Sequence, residues 1–341
     1  MNTLFEIHTQ YNLILAIGLA QSRQGNNDLI LFKDFDLKKS VEEKINSIFS
    51  RVLILEGNFP KKEFSTMEKF NKISEDNRKI RSFISSEYNE LLLVDDMCIQ
   101  EMYTIKCVKN KNHCAKISWL EDGGNAYFDI GIGPGGMDRS SLGRLIRKSV
   151  FSLCYGLWSY YDLAVCMGAH KQITDVYVLF PNNVRKEHHH QIVHEITQNM
   201  FEVGMDSLFK SDTIMFETDS ILIAMDKIDV YGDKQNEVEK YLNEIIEGAQ
   251  TNNQKVYYKY HPRETKQLPM LDGCRELDRT VALESFLVNS STKQVTIVGF
   301  KSTALQTAKK MGYETISYIK NVEPENTRIK KFYESIGIVC R

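Results

Sequence analysis

The 341-residue chain is poor in proline (6) and tryptophan (2), has no Cys-x-x-Cys pair and carries almost no net charge. Its seven cysteines are odd in number and scattered, which argues against a disulfide framework or a zinc knuckle and points to a reducing compartment. Lys and Arg total 43 against 45 Asp and Glu, a formal charge of -2. Binding to nucleic acid through overall basic charge is therefore excluded. Six prolines and 19 glycines also exclude collagen-like and low-complexity chains. The opening MNTLFEIHTQ lacks the basic-then-apolar pattern of a secretory signal, so a cytoplasmic location is expected. One stretch, Ser149–Ala169, is apolar enough to need a membrane test, and Asp162 is its single charge. A central Asp costs ~2.5–3.5 kcal/mol on insertion. The expectation is a buried helix running into a strand.

Apolar residues make up 42% of the chain and charged residues 26%, as in folded soluble proteins, and the length suits two domains. Apolar runs at 4–7, 28–32, 51–55, 91–95 and 117–121 alternate with helical stretches at 11–23, 39–50 and 66–86. The second half repeats the alternation. Strands are expected at 220–225, 255–260, 294–298 and 315–318, and helices at 236–249, 282–289, 303–311 and 329–336. Short apolar runs between helices predict buried parallel sheets with helices on both faces. Residues 201–218 show no strong periodicity and take the boundary, giving an N-terminal domain of 1–205 and a C-terminal domain of 206–341. The simplest reading is an α/β protein of two Rossmann-like domains facing a central cleft. Ligands would sit beyond the carboxyl ends of the strands.

Three motifs stand at such strand ends. Glu121-Asp122-Gly123-Gly124 follows ISWL and places two adjacent carboxylates at a sheet edge, where one can serve as a general base. The competing reading is a polar turn. Lys259-Tyr260-His261-Pro262-Arg263 ends the run KVYYKY and sets a histidine among cations, suited to a phosphate. The competing reading is a surface histidine beside a strand-ending proline. Gly299-Phe300-Lys301-Ser302-Thr303 leads from QVTIV into a helix, whose N-terminal N–H groups and hydroxyls can hold an anion. The competing reading is plain N-capping. Together they outline a transferase that deprotonates an acceptor hydroxyl and stabilises a departing nucleotide phosphate.

This ordered set resembles the bacterial sialyltransferases, with their D/E-D/E-G, HP and serine motifs. KYHPRE, GFKSTAL and the late KKFYESIGI look most like the glycosyltransferase family 52 enzymes of lipooligosaccharide and capsule assembly. The resemblance implies the GT-B fold and an inverting transfer from CMP-sialic acid to a glycan acceptor, with no cofactor and no metal. It implies Glu121 as general base, Asp122 as its supporting acid and His261 on the CMP phosphate. Pro262 would pack beside the nucleotide, with Lys259 as the basic residue before the HP pair. Ser302 and Thr303 would bind phosphate, Thr303 standing where a serine is more usual. Glu284 would bind the ribose hydroxyls. Gly123 belongs to the acidic motif, and Gly124-Asn125 departs from the small hydroxylated residue common after it. Gln10, in the His8-Thr9-Gln10 turn after the first strand, is a candidate acceptor contact. Two rivals stay open: another donor, such as a different CMP-nonulosonate or a UDP-hexose, and an inactive nucleotide-sugar-binding protein.

Three further signals have bland readings. Asp34-Phe35-Asp36 matches the metal-binding D-x-D of other glycosyltransferases, but the pattern is common by chance. His188-His189-His190 with His194 is read as a solvated helix start. Arg139, Arg144, Arg147 and Lys148 beside the stripe Leu142, Leu145, Ile146, Val150 and Leu153 make a basic amphipathic helix. Peripheral membrane association is weighed there against a domain helix with a solvated basic face.

Overall fold

The computed structural model describes residues 1–35, 37–57, 65–128, 142–162, 166–209, 216–261, 264, 266–279 and 281–341. The chain divides into two units, Met1–Leu208 and Phe209–Arg341.

The N-terminal unit is built on seven strands: β1 (Thr3–Ile7), β2 (Asn27–Lys33), β3 (Arg51–Glu56), β4 (Glu90–Leu93), β5 (Lys116–Leu120), β6 (Asp175–Val178) and β7 (Ile192–Glu195). They form one sheet in the order β3-β2-β1-β4-β5-β6-β7, and every pairing is parallel. Every residue of β1 and β4 is buried, which explains their unbroken apolar runs. The helices are α1 (Gln10–Gln21), α2 (Lys39–Ile48), α3 (Thr66–Phe83), α4 (Ile99–Lys111), α5 (Leu142–Tyr155) and α6 (Gln198–Phe209). Helix α1 buries a continuous run from Asn12 to Ala20, the behaviour of a helix apolar on all sides. It meets α6 at backbone distance. A Cβ on Gly18 would stand 2.0 Å from the Met200 carbonyl oxygen, and one on Gly204 would stand 2.1 Å from that of Ile14. This contact ties α6 to the N-terminal unit, so the stretch read as aperiodic holds a helix.

The C-terminal unit contains β8 (Ser220–Ala224), β9 (Val256–Lys259), β10 (Arg275–Glu276), β11 (Val295–Gly299), β12 (Glu314–Ser317) and β13 (Val339–Cys340). Their order is β10-β9-β8-β11-β12-β13, again all parallel. Its helices are α7 (Gln235–Thr251), α8 (Leu283–Val288), α9 (Thr303–Lys310), α10 (Ile319–Val322) and α11 (Thr327–Ser335). Its core joins Ile223, Val256 and Val298 of the sheet to Val238, Leu242 and Ile246 of α7.

Two expectations are corrected here. Ser149–Ala169 is not a buried helix running into a strand. It opens with the last half of α5, where Val150 and Leu153 are exposed, and Trp158 beyond the helix is exposed too. The stretch has apolar residues on both sides: Phe151, Tyr155 and Tyr160 pack on Ile99, Met102, Leu157 and Tyr161, whereas Val150, Leu153 and Trp158 face outward. No strand occurs among its described residues. Among the described residues no helix is long and apolar enough to cross a membrane. His188 is likewise not solvated. It is fully buried, stacked on Trp119 at 5.1 Å, with Nδ1 2.8 Å from Gln191 Oε1. Burial holds its pKa below the usual histidine range. His194 pairs with Asp175 at 2.5 Å. Among the described residues no group of acids, histidines and cysteines could hold a metal ion.

Candidate active site

In the N-terminal unit the register places Ile7 beside Leu31, Glu6 beside Leu93, and Leu93 beside Trp119. The residues just beyond β1, β4 and β5 therefore gather at one edge of the sheet: His8-Thr9, Asp95-Asp96 and Glu121-Asp122.

The two acids of the Glu-Asp-Gly motif have different surroundings. Glu121 is fully buried. Its Oε1 accepts the Tyr11 hydroxyl, and its Oε2 accepts the Tyr127 hydroxyl and the Leu179 N–H, the last at 2.8 Å. Burial, reinforced by the Glu121 charge, holds both phenols well above their usual pKa, so they stay protonated donors. Asp122 is partly exposed. Its oxygens accept from Asn12 Nδ2 at 3.3 Å and Asn125 Nδ2 at 3.4 Å. Burial, helped by the Asp95 charge, outweighs the Asn12 hydrogen bond and the His8 charge and raises the Asp122 pKa above the usual carboxylate range. Gly123 opens the one-turn 3-10 helix Gly123–Ala126 at φ +56, a conformation that favours glycine.

Behind this loop lies a buried charge cluster. His8 stacks on Phe32 at 4.5 Å, with Nδ1 3.0 Å from Asp34 Oδ2 and Nε2 2.6 Å from Glu101 Oε1. Burial opposes its charge, but Asp34 and Glu101 prevail, and the imidazole holds its proton well above the usual pKa. Burial pushes Glu6 and Glu101 up as well. His8 is thus a buried partner of acids. Gln10 is the first residue of α1 and half-buried. Asp34, the first acid of the D-x-D, is committed to His8, and Asp36 lies outside the described residues.

In the C-terminal unit Lys259, Ala224, Gly299 and Ser317 stand in register across four adjacent strands. The segments that follow them form the carboxyl edge of this sheet. Lys259 is buried, its Nζ 3.3 Å from the Tyr260 carbonyl oxygen. Burial lowers its pKa, and Glu284 and Asp278 oppose that shift. Glu284, on α8, is raised by burial against the pull of Lys259 and of Thr307, whose hydroxyl donates to it at 3.4 Å. Lys259 and Glu284 therefore share one locality. His261 is partly exposed just past β9, and its carbonyl oxygen accepts from Glu264 N at 2.8 Å. Pro262 lies outside the described residues. Ser302 caps α9, its Oγ accepting from Ala304 N at 3.3 Å, and Thr303 is the first helical residue. Asp226, just past β8, is half-buried and accepts from Tyr231 and from the Lys301 N–H at 3.1 Å, which fixes the loop before Ser302.

Several residues escape a motif search: Tyr11, Asn12, Tyr127 and Asp95 in the N-terminal unit, and Thr307 in the C-terminal unit. Asn12 had a signal. It is the third helical residue after Thr9, in a capping-box spacing, and a lone polar side chain in an otherwise apolar run.

In fold, the chain is similar to UDP-GlcNAc 2-epimerase from Methanocaldococcus jannaschii, with a TM-score of 0.54 at 12% identity over 99% of this chain and 92% of that one. It is similar also to the alpha/beta-galactoside alpha-2,3-sialyltransferase of Photobacterium phosphoreum, with a TM-score of 0.51 at 12% identity over 99% and 96% of the two chains. Two parallel-sheet Rossmann-like units with such neighbours define the GT-B class. The model of the alpha-2,8-polysialyltransferase (POLYST) family matches residues 4–318, and the chain belongs to that family. It is a glycosyltransferase of the sialyltransferase kind. The sequence resemblance pointed to the family 52 enzymes; the family shown is the polysialyltransferase one. No curated protein matches the chain in sequence.

Proposed function

We propose that the protein transfers sialic acid, with inversion, from CMP-sialic acid to a sugar hydroxyl of a bacterial surface glycan such as lipooligosaccharide or capsule. The observation that carries this reading is Asp122, a partly exposed carboxylate of raised proton affinity at the edge of the first sheet. Asp122 takes the proton of the acceptor hydroxyl. The acceptor oxygen bonds to the anomeric carbon of the sugar, the bond from that carbon to the phosphate oxygen breaks, and CMP leaves with the electron pair. Glu121, enclosed by Tyr11, Tyr127 and Leu179, braces the loop. The family resemblance makes Glu121 the base; its burial transfers that role to the next residue, Asp122. Gly123 and Gln10 contribute to the acceptor side.

The C-terminal unit holds the nucleotide. His261, Ser302, Thr303 and the α9 N-terminus receive the phosphate. Glu284 takes the ribose hydroxyls, buried Lys259 supplies positive charge beside it, and Pro262 packs on the nucleotide. A single departing phosphate needs no metal ion in this scheme. The exposed stripe Ile146, Val150 and Leu153 of α5, continued by Trp158, supports peripheral contact with a membrane surface.

The reading is tested by thermal unfolding with nucleotides, since a ligand of the folded state stabilises it by RT ln(1 + [L]/Kd), about 2.7 kcal/mol at 100 Kd. CMP and CDP should raise the midpoint more than UDP or GDP. A larger shift with UDP overturns the CMP donor in favour of a UDP-hexose. Binding of CMP without transfer to any glycan points to an inactive nucleotide-sugar-binding protein.

A further inference from the structure

The N-terminal cap of α1 is joined to the acid loop. Asn12 is fully buried. Its Oδ1 accepts the Thr9 N–H at 3.1 Å and the Thr9 hydroxyl at 2.6 Å, and its N–H in turn donates to Thr9 Oγ1 at 3.2 Å. That closes the capping box and fixes which way the amide points. The remaining group, Nδ2, reaches away from the helix to two acceptors of one loop, the Glu121 carbonyl oxygen and Asp122 Oδ1, both at 3.3 Å. Helix capping uses only the oxygen of this side chain. An aspartate at the same position would cap as well and would favour the helix dipole. The amide nitrogen is the group that capping does not explain.

We propose that Asn12 is a positioning residue of the transfer reaction: its capped, buried amide orients the Asp122 carboxylate toward the acceptor hydroxyl. The inference rests on Asp122 being the base. Asp122 is faced by Tyr11 from α1, His8 from beyond β1, Asp95 from beyond β4 and the neutral amide of Asn125 from its own loop. Within that set Asn12 supplies a neutral donor that favours the ionised form.

The test is Asn12→Asp, which keeps the cap and the size but sets an oxygen against Asp122 Oδ1, with Asn12→Leu as a second variant that removes the donor without adding charge. Thermal unfolding first shows that each variant is folded, and CMP titration then checks the nucleotide groups, which lie in the other unit. The expected result is a lower kcat at unchanged CMP affinity, with the acid limb of the kcat profile moved to higher pH, further for Asn12→Asp. Each unit of displacement costs about tenfold in rate below the limb. A kcat loss without displacement in a folded variant assigns Asn12 to structure alone and overturns the proposal, as does a wild-type profile. Asp122→Asn run in parallel separates the two ideas. If it keeps the wild-type rate, the base assignment has failed; if it is inactive while the Asn12 profiles do not move, only the positioning role has failed.

Discussion

Replacing Glu121 by Gln should cost stability first and rate second. The buried carboxylate of Glu121 accepts from two phenols and one backbone N–H. Gln keeps one oxygen. Turned toward the Oε2 position, that oxygen still serves Tyr127 and Leu179 N, and the new NH2 faces Tyr11. The Tyr11 hydroxyl can rotate and accept instead of donating, so none of these three partners is orphaned. What disappears is the charge on the acceptor. Hydrogen bonds to charged groups contribute ~1.5–3 kcal/mol and neutral ones ~0.5–1.5 kcal/mol, so three bonds lose about 3–4.5 kcal/mol. Relief from burying an ion offsets some of this, leaving roughly 1–3 kcal/mol. In a unit of this size about 1 kcal/mol moves the midpoint by ~2–4 °C, so a fall of roughly 2–12 °C is expected. Asp122→Asn should do the reverse. Its partly exposed side chain loses little stability, but the base is gone and kcat drops ~10²–10⁴-fold. Differential scanning calorimetry and steady-state kinetics on both variants decide between the two assignments. Were Glu121→Gln to lose ~10²-fold or more in kcat at an unchanged midpoint, with Asp122→Asn active, Glu121 would be the base and the reasoning from burial would be refuted.

His261→Ala should weaken CMP binding and lower kcat together, because in the proposed scheme it removes a group on the phosphate in both ground and transition states; calorimetric CMP titration with kinetics separates the two effects. EDTA should leave the transfer rate unchanged, since Asp34 is already held by His8 at 3.0 Å; loss of activity restored by Mn²⁺ and abolished by Asp34→Ala would reverse this. Asp96, buried and further raised by Asp95, has its pKa pushed from 3.8 up to about 7. Between those values the folded form keeps a proton that the unfolded form releases, so stability falls as pH rises through that window, and Asp96→Asn should flatten the decline in urea midpoints. Anionic vesicles should cosediment with the protein and Leu153→Glu should weaken that binding, because Leu153 is 75% exposed on α5; equal binding by the variant argues against the α5 stripe.

The strands most legible in the sequence are those whose burial on both faces leaves an unbroken apolar run, such as LLLVD and SILIA. Strand β7 is invisible there because it is the sheet's last strand, with the polar pair His194-Glu195 and an exposed Ile192. Helix α4 escapes because its buried face carries Gln100, Glu101 and Thr104, which blur the apolar period. Those polar residues have tertiary partners: Thr104 donates to Glu6 at 2.9 Å, and Glu101 faces His8. A pattern of apolar spacing cannot register such pairs. The motif loops are legible as strand-end segments because register alone brings them to the sheet edges. The division of labour within Glu121-Asp122 is not, since the two acids differ only in what surrounds them, and Tyr11 lies 110 residues away from Glu121.

The acidic edge of the first sheet has an internal logic. Glu6, Asp34, Asp95, Glu101 and Asp122 crowd about one imidazole. Full ionisation of such a set would be prohibitively costly in a low-dielectric interior. Two responses lower that cost. Glu6 and Glu101 bind protons more tightly, and His8 holds its own proton between Asp34 and Glu101. Neither neutralises Asp122, which still feels burial and Asp95. A general base gains by proton affinity closer to the working pH, provided that it remains ionised there. Too many buried carboxylates would leave Asp122 protonated and idle; too strong a compensating charge would return it to an ordinary, weak carboxylate. His8 and the Asn12 amide both pull toward ionisation, while burial and Asp95 pull against it. The reactivity of the loop therefore depends on residues from α1, β1 and β4 as much as on its own two acids, and substitutions at His8 or Asp95 should displace the acid limb in opposite directions, upward for loss of His8 and downward for loss of Asp95.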